Sequence, residues 1–297
     1  MLPQHLQLKV LSMLDDSAFD KAVKGAGPPG RGAPVRADAT FLQRMGTPFS
    51  AKRAVDDIKA RGLAVFDHVM GADMASATRS GVEGVAASGL MRRARMGKDS
   101  TQWADTRARG DEMIWFNDLL AALEQASDSV GEGHLEAGGD DAGSPRVDHV
   151  DAGSIQAVGA AVKHLQSLGA EVCTAIGGQF ECQRMTFQVA RYADGARYVR
   201  HSDVGPQTPD RRLTCILYLN PDWKKEDGGE LRLYLPIGTS HASAQGSQGH
   251  TNACDVAPLM NRLVIFRSEV CLLRALVFWL LKPSLTARQA FPSVPIP

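Results

Sequence analysis

Excess charge of either sign is missing from this chain: 33 Lys and Arg stand against 33 Asp and Glu in 297 residues. A neutral chain gives no electrostatic reason to expect nucleic acid or an anionic membrane as partner. The local basic cluster Met91-Arg92-Arg93-Ala94-Arg95 reads as a solvated face. A disulfide framework is also lacking. Cys173, Cys182, Cys215, Cys254 and Cys271 are odd in number and include no CxxC pair, which excludes a zinc knuckle and suits a reducing compartment, cytoplasm or nucleus. No apolar run is long enough for a membrane span of about 20 residues. The longest, Val270 to Leu281, is broken by Arg274. No basic flank precedes an apolar core near the N-terminus, so a signal peptide is not expected. A transit peptide stays open, because residues 1–40 combine Lys, Arg and a Pro/Gly-rich run with Asp15, Asp16 and Asp20. No internal repeat is visible.

What is present has two textures. Residues 1–46 read as a weakly ordered extension, because the run Gly25 to Pro34 can bury little. Ser50 is placed to cap a helix through Ala60, with Gly62 just past its end. A short strand, Leu63 to Phe66, and a small-residue helix, Ala72 to Ala87, follow. Residues 130–153 are rich in Gly, Asp and Glu and predict a long surface loop. Ile155, Val158, Val162, Leu165 and Leu168 then recur at helical spacing, with Gly169 as the stop. From about residue 183 strands take over: Met185 to Tyr192, Tyr198 to Asp203, Leu213 to Leu219, Glu230 to Leu235 after the Gly228-Gly229 turn, and Leu263 to Phe266. A polar loop, Gly238 to Asn252, interrupts them. Helices first and strands afterwards predict an α+β fold with helices bracing one face of a sheet sandwich.

The chemistry centres on Tyr198-Val-Arg-His201-Ser-Asp203. Side chains alternate along a strand, so His201 and Asp203 are expected to point the same way. An imidazole and a carboxylate so placed can grip one metal ion, and a further histidine would complete the facial triad of non-haem Fe(II) oxygenases. A lone His-x-Asp is common and most often means nothing; its neighbours give it weight.

Those neighbours are ordered. Val189-Ala-Arg-Tyr192-Ala-Asp-Gly-Ala-Arg-Tyr198 leads into the His-x-Asp. Leu213-Thr-Cys-Ile-Leu-Tyr218-Leu-Asn220-Pro-Asp-Trp223 follows, then Gly228-Gly229-Glu-Leu-Arg, and Asp255-Val-Ala-Pro258 through Arg262-Leu-Val-Ile-Phe266. Upstream stand Gly62-Leu-Ala-Val-Phe-Asp67 and Arg109-Gly-Asp111-Glu-Met-Ile-Trp115. From Thr47 to Val270 the sequence resembles the Fe(II)- and 2-oxoglutarate-dependent prolyl hydroxylases, most closely the oxygen-sensing, egg-laying-defective-nine type that acts on hypoxia-inducible factor. The resemblance implies a double-stranded β-helix, a jelly-roll-like sandwich with supporting helices. It implies a dioxygenase that hydroxylates prolyl residues of a protein or peptide with Fe(II), 2-oxoglutarate, O2 and ascorbate. Position by position, His201 and Asp203 match metal ligands and Tyr218 the tyrosine on the distal 2-oxoglutarate carboxylate. Tyr192 matches a second pocket tyrosine, with a half-buried strand aromatic as the equal alternative. Arg109 and Asp111 match the frame of the substrate entrance. Arg211 matches a peptide contact, with a solvated charge as the plain alternative. Asp222-Trp223 and Gly228-Gly229 read as structural.

The resemblance stops at Val270. The family places its third ligand, a histidine followed by Glu-Val, shortly after the Val264–Phe266 strand, and a 2-oxoglutarate arginine on the next strand. This sequence runs Arg267-Ser268-Glu269-Val270 into an apolar, then Pro-rich tail, 271–297, and no histidine follows His250. The tail reads as unrelated sequence joined to a truncated domain, able to fill part of the vacated sheet but not to supply the imidazole. No third ligand is found; His241 and His250 are the nearby substitutes but precede the strand in chain order, and neither Arg274 nor Arg288 has the strand context of the missing arginine. Two readings follow: a hydroxylase weakened at its metal site, or a hydroxylase-like module that binds peptide without turnover.

Overall fold

The computed structural model describes residues 5–12, 47–95, 105, 108–131, 151–176, 185–193, 195–204, 211–235, 252–268 and 272–276. Eleven strands form among them: β1 (His5–Ser12), β2 (Leu63–Phe66), β3 (Arg92–Arg93), β4 (Glu112–Trp115), β5 (Met185–Tyr192), β6 (Tyr198–His201), β7 (Leu213–Tyr218), β8 (Glu230–Leu235), β9 (Asn252–Val256), β10 (Arg262–Arg267) and β11 (Leu272–Leu276). The larger sheet runs β2-β10-β7-β1-β5-β4-β3 and the smaller β6-β11-β8-β9. Every pairing is antiparallel.

Period-two alternation assigns each face of the larger sheet. Leu263 and Ile265 of β10, Leu217 of β7, Ala64 and Phe66 of β2, and Leu6 and Leu8 of β1 pack toward the helices. The intervening Val264, Phe266, Ile216, Tyr218, Leu63 and Val65 meet Leu231, Leu233, Cys254 and Val256 of the smaller sheet. The site lies in this second layer, between the sheets.

The helices are α1 (Ala51–Arg61), α2 (Ala72–Ala87), α3 (Phe116–Gly131) and α4 (Ala152–Ala175). As the sequence predicts, Ser50 caps α1, its side chain accepting from the Arg53 N–H, and Gly62 ends it at φ 80°. Asp151 caps α4 by accepting from the N–H groups of Gly153 and Ser154. None of the described helices is long and apolar enough to cross a membrane.

Several expectations need correction. Residues 5–12, placed by composition in a weakly ordered extension, form the middle strand of the larger sheet. The alternation of Leu6 and Leu8 with Gln7 and Lys9 fits a strand with two buried faces, and all four are buried. Gly169 does not stop α4, because Val172 and Cys173 continue the buried stripe; that burial outweighs the roughly 1 kcal/mol cost of an internal glycine. Helix α3 extends to Gly131 and α4 begins at Ala152, so only 132–150 of the predicted 130–153 loop remains, outside the described residues. One expectation of the tail agrees: Leu272–Leu276 fills part of the smaller sheet, as a strand between β6 and β8. His241, His250, Arg288 and the Arg274 side chain lie outside the described residues.

Candidate metal centre

Strand β6 ends at His201, and Asp203 lies two residues beyond it rather than within it. The two side chains still converge. His201 Nδ1 is 2.8 Å from the Val199 carbonyl oxygen. A carbonyl only accepts, so Nδ1 carries the proton of this bond. The other ring nitrogen, Nε2, is buried without a hydrogen-bond partner and lies 3.5 Å from Asp203 Oδ1. An orphaned imidazole nitrogen facing a carboxylate oxygen is the arrangement two ligands of one ion require.

The rest of the Asp203 carboxylate is occupied. Thr214 Oγ1 donates to Oδ2 at 2.8 Å, and Lys9 Nζ donates to Oδ1 at 2.7 Å. Both charged side chains are almost inaccessible, at 9% and 6% exposure. Burial alone would raise the Asp203 carboxyl, but the Lys9 ammonium and His201 outweigh it and hold it well below the usual carboxylate range. Burial lowers the Lys9 ammonium from its ordinary value despite Asp203, and Arg109 and Arg211 add to the lowering. Sequence reasoning missed Lys9, since a lysine in an unpartnered segment reads as solvated.

Ser268 is fully buried, and its hydroxyl lies 2.9 Å from Thr214 Oγ1. Its carbonyl accepts from Ser202 Oγ at 3.3 Å. The residue that precedes Glu269-Val270 is therefore inside the site, linked to Asp203 through Thr214, and it is a serine.

A layer of polar and aromatic groups walls the pair. Tyr198 stacks on His201, ring centroids 3.5 Å apart and planes 18° from parallel. The Arg109 guanidinium lies over the other partner of that stack, 4.7 Å from the Tyr198 centroid. It is held there by two bonds to Asp111, at 2.8 and 3.0 Å. Arg211 Nη1 donates to the Asp203 carbonyl at 2.9 Å, so it braces the main chain beside the carboxylate. Tyr192 and Tyr218 are both buried, and burial pushes both phenols upward. Asp111 adds to the shift at Tyr192 while Arg109 opposes it, which puts that phenol beside the Arg109–Asp111 pair. Trp223 donates to the Gly228 carbonyl at 2.6 Å, consistent with a structural turn.

The donor set tests the fit to Fe(II). His201 and Asp203 supply two corners. Among the described residues no group of three His, Cys, Asp or Glu side chains comes together. An ammonium also takes the Asp203 oxygen that faces His201. As arranged, the site does not fit an iron held by three protein ligands.

Comparison with known proteins supplies the lineage. Residues 187–273 match the model of the 2OG-Fe(II) oxygenase superfamily. The mouse prolyl hydroxylase EGLN3 is 34% identical over 96 residues, covering 32% of this chain and 35% of that one. The rat Egl nine homolog 1 is 36% identical over 88 residues, covering 29% of this chain and 22% of that one. The matched segment thus spans about a third or less of the length of these relatives. A Pseudomonas putida prolyl-4-hydroxylase structure superimposes with a TM-score of 0.51 at 22% identity, over 76% of this chain and 91% of that one. That likeness shows the fold, a double-stranded β-helix in which β11 and β1 complete the two sheets. Over residues 187–273 the chain is similar to the 2OG-Fe(II) oxygenase superfamily, and the curated relatives that match part of it are prolyl hydroxylases.

Proposed function

We propose that this chain is a prolyl hydroxylase-type oxygenase with a weakened metal site, acting on prolyl residues of a protein or peptide. The overall reaction turns 2-oxoglutarate, O2 and a prolyl side chain into succinate, CO2 and hydroxyproline, with ascorbate as the supporting reductant. The observation that carries this reading is the His201 Nε2 atom, buried, unbonded and aimed at Asp203 Oδ1. A buried polar atom without a partner costs stability and is retained where function uses it. Tyr192 and Tyr218 offer phenol groups to an acid in the sandwich interior, and Arg109, Asp111 and Arg211 wall the place where a peptide would approach. The odd cysteine number and the lack of a CxxC pair support a cytoplasmic or nuclear setting.

A second reading, a peptide-binding module without turnover, is favoured by one observation: among the described residues no third His, Cys, Asp or Glu joins His201 and Asp203. One experiment separates the two. Succinate formation from 2-oxoglutarate is measured with Fe(II), ascorbate and a proline-containing peptide, for the natural chain and for a variant whose residues after Val270 are replaced by a family-type His-Glu-Val…Arg ending. The hydroxylase reading expects slow turnover in the natural chain and at least a tenfold gain in the variant. Peptide binding with no succinate from either protein establishes the second reading.

A further inference from the structure

The larger sheet receives its middle strand from far away in sequence. Strand β1 pairs with β5 along eight residues, from His5↔Tyr192 to Ser12↔Met185, and with β7 from Gln7↔Tyr218 to Ser12↔Leu213. Its start is pinned: the Leu6 N–H donates to Asn220 Oδ1 at 2.7 Å, and the Leu6 carbonyl accepts from Leu219 at 3.1 Å. Leu6 and Leu8 are inaccessible on the helix side. Lys9 therefore reaches Asp203 from a paired, two-faced strand and not from a loose arm.

We propose that β1 is an occluding strand: the Lys9 ammonium holds the Asp203 oxygen that faces His201, so a divalent cation binds this pair only when Lys9 leaves it. Three observations converge. Oδ1 is the shared atom, 2.7 Å from Lys9 Nζ and 3.5 Å from His201 Nε2. An ion bridging Nε2 and Oδ1 would meet the ammonium at close range, where like charges in a buried site repel strongly. Nearby cations give Lys9 no other place. Arg109 is spent on Asp111 and Arg211 on the Asp203 carbonyl, so Asp203 is the carboxylate that Lys9 uses. Strand β1 joins two halves of the larger sheet. Strands β2, β10 and β7 pair among themselves on one side, and β5, β4 and β3 on the other. Residues 13–46 of the chain separate β1 from the first residue described after it.

The inference rests on reading His201 and Asp203 as the metal pair, and its test does not depend on turnover. Co(II), an air-stable probe for Fe(II), is titrated into the full-length chain, into Lys9→Met and into Lys9→Met/His201→Ala, by calorimetry and by the visible absorption of the ion. Lys9→Met is expected to bind Co(II) at least tenfold more tightly than the natural chain, and the added His201→Ala to abolish the gain. Equal or weaker binding by Lys9→Met overturns the proposal, as does a gain that survives His201→Ala. Removing Lys9 takes the ammonium from a buried carboxylate, so thermal unfolding is followed as well. A Tm lowered in Lys9→Met and restored by Co(II) supports the proposal; a loss that Co(II) does not reverse overturns it. Tighter Co(II) binding without succinate formation by Fe(II)-loaded Lys9→Met supports occlusion and sinks the hydroxylase reading.

Discussion

Arg262 and Asp67 form a two-pronged ion pair, Nε to Oδ1 at 2.6 Å and Nη2 to Oδ2 at 2.7 Å, across 195 residues of sequence. It ties the start of β10 to the residue after β2, with both side chains nearly buried at 8% and 12% exposure. Removing one partner of such a pair leaves a charge without compensation, at a cost of about 3–5 kcal/mol. Asp67→Asn is expected to lower the unfolding free energy measured in urea by that much. Replacing both residues by apolar ones of similar volume should cost far less, and the double variant measured beside the single one shows whether the loss is that of the orphaned guanidinium.

Leu8 is fully inaccessible in β1, packed toward the helices. Truncation of such a leucine removes transfer energy and leaves a cavity, typically about 2–5 kcal/mol together. Leu8→Ala is therefore expected to destabilise the whole domain by about 3 kcal/mol in chemical denaturation. A change below about 0.5 kcal/mol, the range of surface substitutions, would mean that β1 is not seated in the sheet.

Helices α2 and α4 approach closely at glycines. A Cβ on Gly81 would meet the Ser154 carbonyl oxygen at 2.6 Å, and one on Gly84 would meet Ser154 Oγ at 2.2 Å. Alanine is the better helix former by about 1 kcal/mol, so an exposed site would gain from the exchange. Gly81→Ala is expected to lose about 1–3 kcal/mol from overpacking against main chain. Gly84→Ala should lose less, since a serine side chain can rotate away. Paired denaturation curves of the two variants check the order.

Thr214 orients the second oxygen of Asp203 and bridges to Ser268. Groups that hold a metal ligand in place usually contribute about 10- to 100-fold to metal affinity. Thr214→Val keeps the shape and removes the hydroxyl. In a Lys9→Met background it is expected to weaken Co(II) binding by that factor, while Thr214→Ser preserves it.

Between Met185 and Arg267 the strands were legible in the sequence where their signals are local, with β9, Asn252–Val256, the exception. Alternating apolar residues, the Gly228-Gly229 turn and the continuous Leu213–Tyr218 run each specify a strand without knowledge of its partners. The Ser50 and Gly62 caps were legible for the same reason. Strand β1 was not. Leu6 and Leu8 alternate with Gln7 and Lys9, but the pattern is short, and the Gly/Pro-rich residues beyond it dominate the composition of the region. Its partners lie near residues 190 and 215, and nothing in an eight-residue segment encodes them. At the site, His201, Asp203 and the tyrosines stood in an ordered set of motifs. Thr214 and Ser268 did not stand out, because hydroxyls have no characteristic spacing and meet only through the sheet register. Asp203 lies past the end of β6, so alternation along a strand does not account for the convergence of the two side chains.

The central position of β1 has a consequence for how the chain reaches this state. Its hydrogen-bonding partners, Ala190 and Tyr218 opposite Gln7, are made about 180 and 210 residues later. At roughly 5–20 residues per second, that is a delay of roughly 10–40 s on the ribosome. During the delay β1 has no sheet to join, and afterwards the facing edges of β5 and β7 stay open until it arrives. Open strand edges pair readily with other chains. Pairings this distant also close slowly, because loop entropy is spent before any contact rewards it. The time for which β1 waits is thus a window for mispairing that the stability of the finished fold does not govern. Slower synthesis at low temperature, or a chaperone that shields the β5 and β7 edges, acts at that step.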